Sequence, residues 1–139
     1  MPTFTKFYCY SQDVGRKVHN LHTDTLKLML TNTAPSLSNA VKTDITEISA
    51  GNGYSAGGAT IAGTSYSQSS GVAVLHGTTV VITASGGSIG PFRYAVVYND
   101  TAASDQLIGY VDHGAAITLS AGETYTFTID GTAGLFSDG

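Results

Sequence analysis

Residues 86–90 read Gly86-Gly87-Ser88-Ile89-Gly90, the Gly-x-Ser-x-Gly spacing of a hydrolase nucleophile elbow. That motif works because a strand-to-helix turn lifts the serine to a helix N-terminus. Here Pro91 follows at once and the next segment is strongly β, so the expectation is a Gly-rich turn between two strands. Gly51-Asn52-Gly53-Tyr54-Ser55-Ala56-Gly57-Gly58 is not a phosphate loop, because no Gly-Lys-Ser/Thr closes it. It also fails the dinucleotide spacing, since Ala56 stands where the third glycine would fall. A backbone turn anchored by Tyr54 is expected instead.

The four histidines, His19, His22, His76 and His113, show no HExxH or HxH spacing. Their only carboxylate neighbours in sequence are Asp24 near His22 and Asp112 beside His113. A metal site needs three or four convergent ligands, so surface or turn histidines are the expectation. Acids such as Asp13, Asp100, Asp105, Asp130 and Asp138 sit in turn contexts, where short polar side chains bond their own backbone. Cys9, the one cysteine, lies beside aromatics as a small buried hydrophobe and excludes an intramolecular disulfide. Asn99-Asp100-Thr101 matches the glycosylation sequon, which has meaning only on a secreted chain. No catalytic set, cofactor or metal is expected.

Arg93 is one of two arginines and sits between Phe92 and Tyr94 after the Gly90-Pro91 turn. It either points to the exterior or pairs with an acid at a subunit contact, where its planar fork is suited to a carboxylate.

The elements that would carry these residues are mostly strands. Leu26, Leu28 and Leu30 share one face of a half-buried strand over 24–31. Residues 72–75 and 78–84 are β-branched and helix-poor. Over 92–98, the spacing puts Phe92, Tyr94, Val96 and Tyr98 on one face and Arg93, Ala95 and Val97 on the other. Residues 106–111 and 117–119 add short apolar runs. Tyr125, Phe127 and Ile129 alternate with Thr124, Thr126 and Thr128. A weak or edge strand is expected around 54–67, and one turn of helix around 43–49. Turns every ~8–12 residues suggest a β-sandwich or barrel. Residues 3–18 carry Phe4, Phe7, Tyr8, Val14 and Val18 at roughly helical spacing, so an amphipathic N-terminal helix is expected there. Residues 1–20 are read as a helix or arm, and 21–139 as one sandwich domain. The arm holds four aromatics outside the β pattern. Phe4, Phe7 and Tyr8, with Tyr54 and Arg93, are the candidate interface residues.

The 139 residues suggest one domain. Charged residues are only 12% and the net charge is −4. Six scattered cations argue against nucleic acid as a partner, because phosphate binding needs a basic patch. No run reaches the ~18 apolar residues of a membrane span, and no signal-peptide pattern opens the chain. A polar but nearly uncharged surface is suited to packing against other protein.

Ser49-Ala-Gly-Asn-Gly-Tyr-Ser-Ala-Gly-Gly58 resembles a segment recurring in small structural proteins of tailed bacteriophages. So does Phe92-Arg-Tyr-Ala-Val-Val-Tyr-Asn-Asp-Thr101, preceded by Ser88-Ile-Gly-Pro91. Leu107-Ile-Gly-Tyr-Val-Asp-His-Gly114 and Leu119-Ser-Ala-Gly-Glu-Thr-Tyr-Thr-Phe127 continue the match in order, and Thr23-Asp-Thr-Leu-Lys-Leu28 looks like that family's first strand. The resemblance covers most of residues 20–136 and departs at 133–139, which end on polar residues. It implies an all-β, jelly-roll-like antiparallel sandwich serving as a decoration, or cement, protein on the capsid exterior. The implied partners are the major capsid protein and further copies of the chain, a dimer or trimer on a shell symmetry axis. The chain would be made in the host cytoplasm and end in the virion. A tail or head–tail connector component would share this sequence character and differ in copy number. A small jelly-roll enzyme would need convergent His and carboxylates. A glycan-binding module would need a solvent-facing aromatic cluster, with Tyr10, Tyr54 and Tyr66 as its candidates.

Overall fold

The computed structural model describes residues 3–138. Ten strands and one short helix follow in the order β1 (Phe4–Lys6), α1 (Cys9–Gly15), β2 (Leu26–Thr31), β3 (Ala59–Ile61), β4 (Ser65–Ser69), β5 (Val72–His76), β6 (Val80–Thr83), β7 (Ile89–Asn99), β8 (Leu107–Leu119), β9 (Thr124–Phe127) and β10 (Phe136–Asp138). Every strand pair is antiparallel. One sheet runs β1-β8-β7-β2-β3, a second β10-β5-β4, and a third pairs β6 with β9. The chain is an all-β antiparallel sandwich. The finer jelly-roll expectation is not carried by this pairing, which divides ten strands five, three and two.

The main core lies between the five-stranded sheet and the two smaller ones. Leu26, Leu28 and Leu30 of β2 share the face the alternation assigned them, with Ala95 and Val97 of β7 beside them. Leu75, Ile82, Tyr125, Phe127 and Phe136 meet them from the other layer. Each large side chain so buried contributes about 1.5–3 kcal/mol of transfer free energy. The opposite face of the five-stranded sheet is covered too: Met29, Val96, Tyr98 and Leu107 pack there with Phe7 and Ile45. Buried on both faces, β2 and β7 read as nearly continuous apolar runs.

The face expected for Phe92 is corrected. The β7–β8 register breaks between Phe92, opposite Ile117, and Tyr94, opposite Asp112. Across this irregularity Phe92 joins the main core with Ala95 and Val97, while Val96 and Tyr98 line the other face. A bulge resets which side successive residues occupy, and strict alternation cannot express it.

The N-terminal expectation is corrected as well. Residues 3–18 are not one helix. Phe4, Thr5 and Lys6 pair with Val111, Tyr110 and Gly109, making β1 an edge of the main sheet, and α1 spans only Cys9–Gly15. Gly109 permits this, since a Cβ there would stand 2.4 Å from the Phe4 ring. The described part of the presumed arm thus packs on its own sandwich; residues 1, 2 and 139 lie outside the described residues. The helical turn expected at 43–49 is a 3-10 turn at Lys42–Asp44, and the weak strand within 54–67 is β3 at the sheet edge.

Candidate functional site

Ser88 lies in the turn between β6 and β7, with strand on both sides, and its carbonyl accepts from Asn52 Nδ2 at 2.9 Å. No helix N-terminus is available to activate it, so the elbow spacing is turn chemistry. Tyr54 anchors its turn as expected, but its ring is buried and therefore not a contact surface of the folded chain. Its hydroxyl donates to Glu47 Oε2 at 2.6 Å and accepts the Leu30 N–H at 3.0 Å. Gly57 N–H donates to the same Glu47 oxygen at 2.7 Å. Burial and the Glu47 carboxylate push the Tyr54 hydroxyl pKa well up, so it remains a donor.

The other interface candidates divide. Phe7 is buried in the smaller core, and Phe4 stacks on Phe136 with ring centroids 5.2 Å apart. Phe7 is therefore corrected from a contact residue to a packing residue, while Phe4 on edge strand β1 is half-buried. Tyr8 is 72% exposed and remains available. Arg93 makes a bidentate pair with Asp112 across the β7–β8 ladder, Nε to Oδ1 at 2.8 Å and Nη2 to Oδ2 at 3.1 Å. Its fork is filled within the chain rather than by an acid across a subunit contact. That pairing and the Gly114 N–H hold the Asp112 carboxyl below its usual range.

The sequon asparagine is fully buried. Asn99 Oδ1 accepts the N–H groups of Thr101 and Ala102, and its Nδ2 donates to Asp24 Oδ2 at 2.7 Å. A glycosyl acceptor must present that nitrogen, so the site is closed by folding. Burial pushes the Cys9 thiol up to about 11, with Asp13 adding to the effect, which keeps it protonated and unreactive. Among the described residues, no group of three His, Cys, Asp or Glu is placed to hold a metal. His113 bonds Tyr125 Oη at 2.6 Å and His22 Nδ1 accepts the Tyr66 N–H at 3.2 Å.

The densest polar constellation was not singled out from the sequence. Asp138 of β10 binds Lys6 through Oδ1, and its Oδ2 accepts from the hydroxyls of Tyr10 and Tyr66, each at 2.8 Å. Burial opposes its ionisation, but the bonds from Lys6, Tyr66 and Tyr10 outweigh that and lower its pKa. Beside this cluster a cavity of about 220 Å³ is lined by Tyr10, Val14, Lys17, His19, Asn20, Leu21 and Tyr66. His19 Nδ1 lies 3.0 Å from Asn99 Nδ2. Since that nitrogen is a donor, His19 accepts through Nδ1 and carries its proton on Nε2. His19 Nε2 and Asp13 Oδ2 are buried with no hydrogen-bond partner among the described residues. The two tyrosines named as glycan candidates do meet here, with Tyr10 buried and its hydroxyl already engaged.

A second feature escaped sequence reading because it is an absence spread over many elements. No Asp, Glu, Lys or Arg occurs between Glu47 and Arg93. This span folds into β3, β4, β5 and β6. Val81 on β6 and the end of the β4–β5 hairpin are exposed within it.

A scan of protein-family models, a search of curated proteins and a search of solved structures each give no match to this chain.

Proposed function

We propose that the chain is a virion structural protein that decorates the outer surface of a phage head and stabilises the shell. The observation that carries the reading is the uncharged span between Glu47 and Arg93, which forms β3–β6. A surface without Asp, Glu, Lys or Arg can be buried against another protein with little desolvation of unpaired charge. Edge strand β4 carries Ser65, Tyr66, Ser67, Gln68 and Ser69, with none of the lysines or prolines that discourage strand addition. The segments resembling phage structural proteins flank this region, ending at Gly58 before β3 and resuming at Ser88 after β6. The major capsid protein and further copies of the chain, as a dimer or trimer, are the partners in this reading.

The mechanism is linkage. A protein that binds only the assembled, expanded shell stabilises that shell by about 2.7 kcal/mol per site at a free concentration of one hundred times Kd. The test adds purified protein to heads lacking it and follows shell melting by calorimetry. A concentration-dependent rise in the shell transition supports the reading. No rise at saturating protein removes the cement role and leaves the tail or connector alternative.

A further inference from the structure

Of the six basic residues, Lys6, Lys27 and Arg93 each face a carboxylate, and Lys42 lies over the Tyr98 ring at 5.4 Å. Arg16 and Lys17 are the two with no carboxylate or aromatic partner among the described residues. They are adjacent, exposed and follow the last turn of α1. Lys17 lines the cavity with Tyr10, Val14 and Tyr66. Its backbone is in the left-handed region at φ 64, where a non-glycine residue is held at some expense by the surrounding fold. Three hydrogen bonds fix that turn: Arg16 N to Gln12 O, Lys17 N to Val14 O and Val18 N to Asp13 O.

The acids nearby form no ion pair with Arg16 or Lys17 among the described residues, although Asp13 and Asp24 both act electrostatically on His19. Asp138 is held by Lys6, Tyr10 and Tyr66. Asp24 accepts from Asn99 and from the Asn20 N–H. Asp13 is 7% exposed and does not line the cavity. The cavity therefore combines tyrosine and aliphatic walls with Lys17 at its lip and Arg16 next to it; His19 lines it too, but its Nε2 is buried. At about 220 Å³ it has room for one bulky side chain, or roughly seven waters. It also adjoins edge strand β4 at Tyr66, whose N–H is given to His22 Nδ1, and β4 continues as an edge from there to Ser69.

We infer that this cavity is a docking site for an extended acidic segment of a partner protein, one bulky apolar side chain of which enters against Val14, Leu21 and Tyr66. The flanking carboxylates of that segment face Arg16 and Lys17. Extended segments are commonly bound in this way, with a sheet edge giving affinity and a side-chain pocket giving specificity. The inference deepens the decoration reading, on which it rests for naming the capsid protein as the partner.

Two assays on the full chain test it. The first measures binding to heads lacking the protein. The second is an NMR titration with the blocked peptide acetyl-Glu-Glu-Phe-Glu-Glu-amide, with the all-lysine counterpart as control. Three variants are compared with the wild type. Val14→Trp plugs the cavity from an exposed lining position, Lys17→Glu reverses the lip, and Val81→Trp places the same ring on distant β6. The expected result is a loss of at least tenfold in affinity for Val14→Trp and Lys17→Glu, no change for Val81→Trp, and peptide-induced shifts confined to residues 14–21 and Tyr66. Cavity dependence in either assay upholds the inference, and its absence from both overturns it. Wild-type binding to heads decides the broader reading separately.

Discussion

The Tyr10 hydroxyl donates to Asp138 Oδ2 at 2.8 Å, tying the helix after the first strand to the last strand across 128 positions of sequence. Tyr66 donates to the same oxygen and Lys6 holds the other, so one carboxylate joins β1, α1, β4 and β10. A three-residue terminal strand such as β10 has little pairing of its own to hold it. Its attachment comes from Phe136 in the core and from this carboxylate.

Asp138→Asn is therefore expected to cost about 1–2 kcal/mol at neutral pH, after discounting for a side chain about one third exposed. The sign with pH is fixed by its lowered pKa. The carboxylate's contribution is present above the usual value near ~4 and is lost as pH falls through the folded value. Thermal melts should show the gap between wild type and variant closing in acid. A gap independent of pH would mean that the ionised form does not hold the strand.

Tyr54→Phe keeps the buried ring and removes the hydroxyl that serves both the Leu30 N–H and Glu47. Leaving a buried N–H unsatisfied costs about 1–3 kcal/mol. Denaturant melts should place the variant in that range. Restored stability in Glu47→Gln with Tyr54→Phe would mark Glu47 as the unsatisfied partner, and an unchanged midpoint in the single variant would show that the network contributes nothing.

Burial lowers the His19 pKa, with Asp13 and Asp24 opposing the shift in part. The native state thus binds fewer protons than the unfolded chain just below the usual value of ~6.5, and stability is lost as pH is lowered through that window. His19→Gln should flatten the fall in melting temperature between about pH 7 and 5. Parallel curves for wild type and variant would place the titrating group elsewhere.

Tyr125→Ala and Phe127→Ala should each cost about 3–5 kcal/mol, since both rings lie in the main core. Val81→Ala, on the exposed side of the same small sheet, should change stability by less than about 0.5 kcal/mol. Comparable losses at all three positions would contradict the facing of β6 and β9.

The alternation over 124–129 made that facing legible in the sequence, as did Leu26, Leu28 and Leu30 for β2. Both stretches are regular ladders, where period two carries the burial pattern. Phe92 was misread because a register shift against β8 is set by the partner strand and leaves no local mark. The short N-terminal helix was legible, but residues 3–18 were misread as one helix because Phe4 needs Gly109, far along the chain, to enter the sheet. Tyr54 was legible as an anchor but not as buried. The Asp138 cluster draws Lys6, Tyr10 and Tyr66 from three distant segments, so no spacing could announce it. Gly58 is a similar case: a Cβ there would lie 1.9 Å from the Leu28 carbonyl, a contact known only once β2 and β3 are paired.

The most direct measurement is quantitative mass spectrometry of purified virions, comparing this chain's copy number with that of the major capsid protein. A ratio near one, or a simple fraction of it, is predicted for a protein covering the shell. A ratio of a few per cent, or absence from the particle, would contradict the account.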